Sequence, residues 1–173
     1  FGRIFLDYFD QDQLFGLYLL GGIFGGLTYL TAYNVFPVFR NNADAALLLG
    51  ASASVIALLV AAAVRDPNRE IHLFLIGRVR LKYIALFMVI SYIIGISVSN
   101  AGGNLAHLGG AFAGWLFVVE QKTGRDLTRF ITVMAKAGKT IFKPRPKVRV
   151  VHRQPPRDDF EYNRQRTADH NEL

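Results

Sequence analysis

Asp, Glu, Lys and Arg are absent from three long stretches of this chain, 13–39, 45–64 and 83–119. A bilayer core about 30 Å thick takes roughly 20 helical residues, so the first two stretches each predict one crossing, at about 13–36 and 45–64. The third is too long for one crossing and is broken near its middle by Ser97-Val98-Ser99-Asn100-Ala101-Gly102-Gly103. It divides into two short helices, at about 83–98 and 103–119, joined by a tight turn. The pattern predicts an all-α membrane protein with four transmembrane helices.

The segments outside the spans have their own periods. Ile71, Leu73 and Leu75, then Val79 and Leu81, alternate with polar or basic residues, which predicts a strand-like stretch within 65–82, lying along the inner interface. After Gly124, Leu127, Phe130, Ile131, Met134 and Ile141 recur at helical spacing among Arg129, Lys136, Lys139 and Lys143. That pattern predicts a basic amphipathic helix over 125–143, with anionic lipid as its partner. From Pro144 onward the chain is rich in proline and charge and is expected to be disordered. Residues 1–124 therefore read as the membrane domain and 125–173 as a basic cytoplasmic tail.

Composition agrees: 51% of residues are hydrophobic and the mean hydropathy is +0.25. Of 20 Lys and Arg, only Arg40 falls between the first two spans and none between the last two. The positive-inside rule then puts both ends of the chain in the cytoplasm. The net charge of +7 is thereby explained by membrane topology, and no nucleic-acid partner is implied. With no cysteine, disulfides and thiolate metal sites are excluded. No His-Glu-x-x-His occurs and no span contains aspartate, so neither zinc nor an aspartyl dyad is indicated; no metal or other cofactor is expected.

Within the apolar stretches His107 is the one ionisable residue of the His, Lys, Arg, Asp and Glu types. Such a group in a bilayer is read first as functional. Ser52, in Gly50-Ala51-Ser52-Ala53-Ser54, is a candidate nucleophile for which His107 would be the base. Their depths match. Ser52 lies 13 residues before Arg65 and His107 lies 13 residues before Glu120, which puts both about 20 Å along parallel helices from the inner boundary. Gly110 and Gly114, extended backwards by Ala106, form a row of small residues, as do Gly50 with Ser54 and Ala57 with Ala61. Such rows let membrane helices approach closely.

Gly50-Ala51-Ser52-Ala53 together with Ala106-His107-Leu108-Gly109-Gly110-x-x-x-Gly114 resembles the rhomboid family of intramembrane serine proteases. The resemblance covers about residues 1–120. It implies a six-helix bundle of which this chain carries helices three to six, with Ser52 as nucleophile on the fourth and His107 as general base on the sixth. It also implies cleavage of peptide bonds in or near the transmembrane segments of membrane-protein substrates, and a bacterial inner membrane as the setting. Two departures stand out. Ala53 occupies a position that is commonly glycine, and the second helix, which carries a His and an Asn for the oxyanion, is not in the chain. Phe1-Gly2 reads as the trailing end of that helix, so the chain is expected to be inactive alone. The Ser52 backbone N–H is one candidate oxyanion donor, and the others are expected upstream. A catalytically inactive relative that binds membrane clients is the alternative.

Other residues receive structural roles. Ser54 is expected to bond back to its own helix, and Asn104 is a candidate helix cap. His72, His152 and His170 read as solvated surface residues, and Tyr29, Tyr33, Tyr83 and Tyr92 as interfacial anchors or packing.

Overall fold

The structure is a computed structural model that describes residues 1–40, 51–73, 77–98 and 100–141, with Arg164 and Thr167 beyond them. The chain divides into two units, residues 1–141 and 142–173. In the second unit Arg164 and Thr167 are helical and the Thr167 hydroxyl donates to the Arg164 carbonyl at 3.1 Å. The disorder expected from Pro144 onward otherwise concerns residues outside those described.

In the first unit a short helix α1 (Gly2–Leu6) precedes α2 (Gln11–Val35). Asp10 starts α2 with a capping box. Its carboxylate accepts from the Gln13 N–H at 2.7 Å, while the Gln13 side chain accepts from the Asp10 N–H. The helix stops at Phe36, held extended by the proline that follows. A single turn α3 (Pro37–Arg40) leads out of it. Next come α4 (Ser52–Arg65), α5 (Leu81–Val98), α6 (Ala101–Lys122) and α7 (Arg129–Ile141).

Among the described residues α2 alone is both long and apolar enough to cross a bilayer, while α4 and α5 are apolar but shorter. The second expected span began at 45, whereas the described part of α4 begins at Ser52; residues 45–50 lie outside those described. The fourth span was expected to begin at 103, yet α6 starts at Ala101. Its cap is Asn100, not Asn104: the Asn100 carboxamide oxygen accepts from the Gly103 N–H at 3.1 Å. Asn104 stands one turn further in, with its side chain against Gly95 of α5.

The strand-like segment is a hairpin rather than a single strand. β1 (Glu70–Leu73) and β2 (Gly77–Arg80) pair antiparallel with Ile71 opposite Val79. Gly77 opens β2 at φ +86°, a conformation that suits glycine. His72 is exposed on β1, opposite Arg78.

Three helices form the centre: α2 and α4 both lie along α6, and α2 also touches α4. Their mutual faces are built from small residues, so backbones meet. A side chain at Gly110 would strike the Ala53 backbone of α4, and one at Gly114 the Ala57 backbone. The partner row on α4 is therefore Ala53 and Ala57, of which Ala57 was among the expected small residues, while Ala53 stands where Gly50 and Ser54 were expected. Gly50 lies outside the described residues. Ser54 is buried and faces Gly22 of α2. The reason is that α4 is sandwiched and needs a small face on each side. The carbonyl to which Ser54 would bond back belongs to residue 50, also outside the described residues.

Away from these seams the surface is apolar. Ile23, Leu27 and Leu30 on α2, and Phe87 and Ile94 on α5, are each more than half exposed. Contiguous apolar area of this extent marks contact with another phase or partner. At the end of the bundle away from Ser52, Phe5, Phe9 and Phe117 cluster with ring centroids 4.5–6.0 Å apart. The helix expected over 125–143 starts only at Arg129, because Asp126 ties up the turn before it. Its carboxylate accepts from the Thr128 N–H and hydroxyl at 2.8 and 2.6 Å. Thr128 is fully buried against Gly16 of α2, while Phe130, Val133 and Met134 remain exposed.

Candidate active site

Ser52 is the first residue of α4, and His107 lies two turns into α6. Gly110 and Gly114 hold these helices together at backbone distance. As a result His107 Nε2 lies 2.6 Å from Ser52 Oγ, across 55 residues of sequence. The two residues picked out by type and matched depth are thus in direct hydrogen-bond contact. Ser52 is exposed and His107 half-buried, so the pair is accessible from one side.

The other ring nitrogen, His107 Nδ1, is buried without a hydrogen-bond partner among the described residues. The described acidic residues lie at the opposite end of the bundle, so none of them orients the imidazole as in a Ser-His-Asp triad. An aromatic ring takes that place. Tyr92 of α5 covers the imidazole with ring centroids 4.3 Å apart and an interplanar angle of 43°. Its hydroxyl points the other way, to the Met88 sulfur at 3.7 Å. Tyr92 was read from the sequence only as an anchor or packing residue. The signal available was its position in the span paired with that of His107, and nothing in the periodicity separates it from Tyr83.

Ala53, where glycine is common, fits because of what faces it. Its methyl group lies over Gly25 of α2, where an added Cβ would come within 2.7 Å. The methyl group lies on α4 and the space for it on α2. Gly25, with Gly21 against Ala57, escaped the sequence reading although Gly21-x-x-x-Gly25 has the same spacing as Gly110-x-x-x-Gly114. Gly109 likewise rests on Thr28 and the Phe24 carbonyl of α2.

Backbone donors surround the serine. The first α4 hydrogen bond runs from the Val55 N–H to the Ala51 carbonyl at 3.2 Å. The N–H groups of Ser52, Ala53 and Ser54 precede it and have no acceptor within the helix. They carry the positive end of the helix dipole. No group of three or more His, Cys, Asp or Glu that could hold a metal ion occurs among the described residues.

Close-packed small-residue seams inside and broad apolar faces outside define an integral membrane helical bundle. The Rhomboid domain profile matches residues 1–120, and the chain belongs to the rhomboid family. Members of that family are integral membrane proteins and generally serine proteases acting on membrane-protein substrates. No curated protein and no solved structure matches the chain significantly.

Proposed function

We propose that this chain carries the catalytic pair of an intramembrane serine endopeptidase, with Ser52 as nucleophile and His107 as general base. The observation that carries the reading is the 2.6 Å contact between Ser52 Oγ and His107 Nε2. Serine is a weak nucleophile until a base takes its proton, and neutral imidazole suits that task near neutral pH. Ser52 Oγ attacks the scissile carbonyl while its proton passes to His107 Nε2. The oxyanion that forms faces the N–H groups at the start of α4, which have no acceptor within the helix, led by that of Ser52. Collapse of the intermediate breaks the C–N bond, and the imidazolium gives its proton to the departing amine. Water, deprotonated by His107, then hydrolyses the acyl-serine and regenerates the pair.

In this reading α2, α4, α5 and α6 are four transmembrane helices, with both ends of the chain on the cytoplasmic side. The basic residues after α4 and α6 support that orientation. The test is cleavage of a reporter membrane substrate in proteoliposomes by a version that includes the upstream helix expected to supply the remaining oxyanion donors, with thermal unfolding followed in parallel. Ser52→Ala and His107→Ala should each lower the rate by at least about 10³-fold at unchanged unfolding midpoint. Ser54→Ala, on the face turned to α2, should retain most activity. Undiminished cleavage by Ser52→Ala would overturn the assignment. If that version folds and binds substrate without cutting it, the client-binding alternative is favoured.

A further inference from the structure

At the end of the bundle opposite Ser52 a cavity of about 240 Å³ opens between the α1–α2 turn and the last turns of α4 and α6, lined by Tyr8, Phe9, Arg65, Val118, Gln121 and Lys122. Its polar lining is strongly biased in charge. Arg65 and Lys122 contribute two cations, and no lining residue is acidic. Of the neighbouring carboxylates, Asp7 pairs with Arg69 at 2.9 Å and Glu120 with Arg125 at 3.6 Å, while Asp66 accepts from the Tyr8 hydroxyl of the cavity wall at 2.8 Å and offsets one of the two cations in part. Arg65 and Lys122 form no ion pair among the described residues. Each sits in the last turn of a helix, where the dipole supplies only about half a negative charge. A positive excess therefore remains in the cavity.

The size and surroundings narrow the ligand. The volume falls below the roughly 300–1,000 Å³ of pockets that enclose drug-sized molecules, so a compact anion fits better than a nucleotide. An arginine and a lysine lining one space, with Gln121 beside them, suit phosphate oxygens. Buried Phe9 and Val118 form an apolar floor. Burial first, and then the hydrogen bond to Asp66, push the Tyr8 phenol above its ordinary range, so that wall stays neutral. In an integral membrane protein the position is telling. Arg65 lies 13 residues along α4 from Ser52, about 20 Å away, where the apolar run of the helix ends and headgroups begin. Basic pockets between membrane helices at that level hold phospholipid headgroups.

We infer that this cavity binds the phosphodiester of an anionic phospholipid, with Arg65 and Lys122 as its cationic ligands. Free phosphate shares the chemistry, and the experiment separates the two sources. The purified protein in nonionic detergent is titrated with dioctanoyl phosphatidylglycerol, dioctanoyl phosphatidylcholine or inorganic phosphate while thermal unfolding is followed. Phosphatidylglycerol should raise the midpoint by several degrees, and the other two by much less. The double variant Arg65→Gln/Lys122→Gln should lose most of that shift, yet unfold like the wild type without lipid. Arg78→Gln/Arg80→Gln, which removes the same charge from the hairpin, should keep it. Should the double variant fold poorly, each single variant should still weaken the apparent affinity several-fold. A full shift in the cavity variants, or equal loss in the hairpin variant, would overturn the site. An equal shift with inorganic phosphate would overturn the lipid as ligand. None of these readouts uses proteolysis, so they stand or fall separately from the roles of Ser52 and His107.

Discussion

The two seams along α6 are built on different terms. Against α4, Gly110 and Gly114 meet the Ala53 and Ala57 backbones, so at these two positions no side chain stands between the helices. Against α5 the contact runs through side chains, with Tyr92 on His107, Asn104 on Gly95, and Ala111 in one cluster with Ala85 and Tyr92. Backbone contact fixes separation, because neither partner has a rotamer with which to yield. Side-chain contact fixes orientation and tolerates small movement. The difference divides the labour at the candidate site: the α4 seam sets how far His107 lies from Ser52, and the α5 seam sets how the ring is turned.

That division can be broken first at its rigid side. Gly110→Leu should cost about 3 kcal/mol or more, because its first carbon already collides with the Ala53 backbone. Leu108→Ala, on a half-buried position, should cost much less. Unfolding midpoints in detergent decide between them, and a stable Gly110→Leu protein would contradict the close-approach account.

The next effect concerns the exchange of bulk between Ala53 and Gly25. Gly25→Ala should destabilise by about 1–3 kcal/mol, since the new methyl meets both the Ala53 methyl and the Ala106 carbonyl. Adding Ala53→Gly should recover part of the loss, because it removes the first of those contacts and leaves the second. A double-mutant cycle in the same unfolding assay measures the coupling, and strict additivity would show that the two methyl positions do not sense each other.

The smallest effect belongs to the α5 seam. Tyr92→Ala should lower kcat about tenfold through loss of ring alignment, with little change in KM. Tyr92→Phe, which keeps the ring and loses only the contact to Met88, should stay close to wild type. If Tyr92→Phe falls as far as Tyr92→Ala, the hydroxyl matters rather than the stacked ring.

These residues also mark how far the sequence could be read. Ser52 and His107 were legible as a pair because equal distance to the nearest charge fixes depth, and depth does not depend on how a helix is rotated. Rotation was not legible. Small residues lie on two faces of α4, and composition does not say which face meets α6 and which meets α2. Tyr92 was missed for a similar reason, since its role depends on the azimuth of α5 and not on its place in the span. The 65–82 segment alternated as a strand should, yet alternation alone does not show where the chain reverses between β1 and β2, and residues 74–76 lie outside those described. The short helix α1 left no periodic signal, since five residues are too few to show a face.

Asn100 adopts φ 41°, the one positive value at a residue other than glycine among those described. This left-handed corner is where the chain leaves α5 and starts α6, so it sets the starting phase of the second helix. His107 follows seven residues later, nearly two full turns at 3.6 residues each, and so stands almost directly in line with the corner. One residue inserted or deleted between them would swing the imidazole by about 100° and carry it off the serine, although every side chain needed for contact would still be present. The corner acts as a timing mark for α6: the number of residues from Asn100 to His107 matters independently of what each of them contacts.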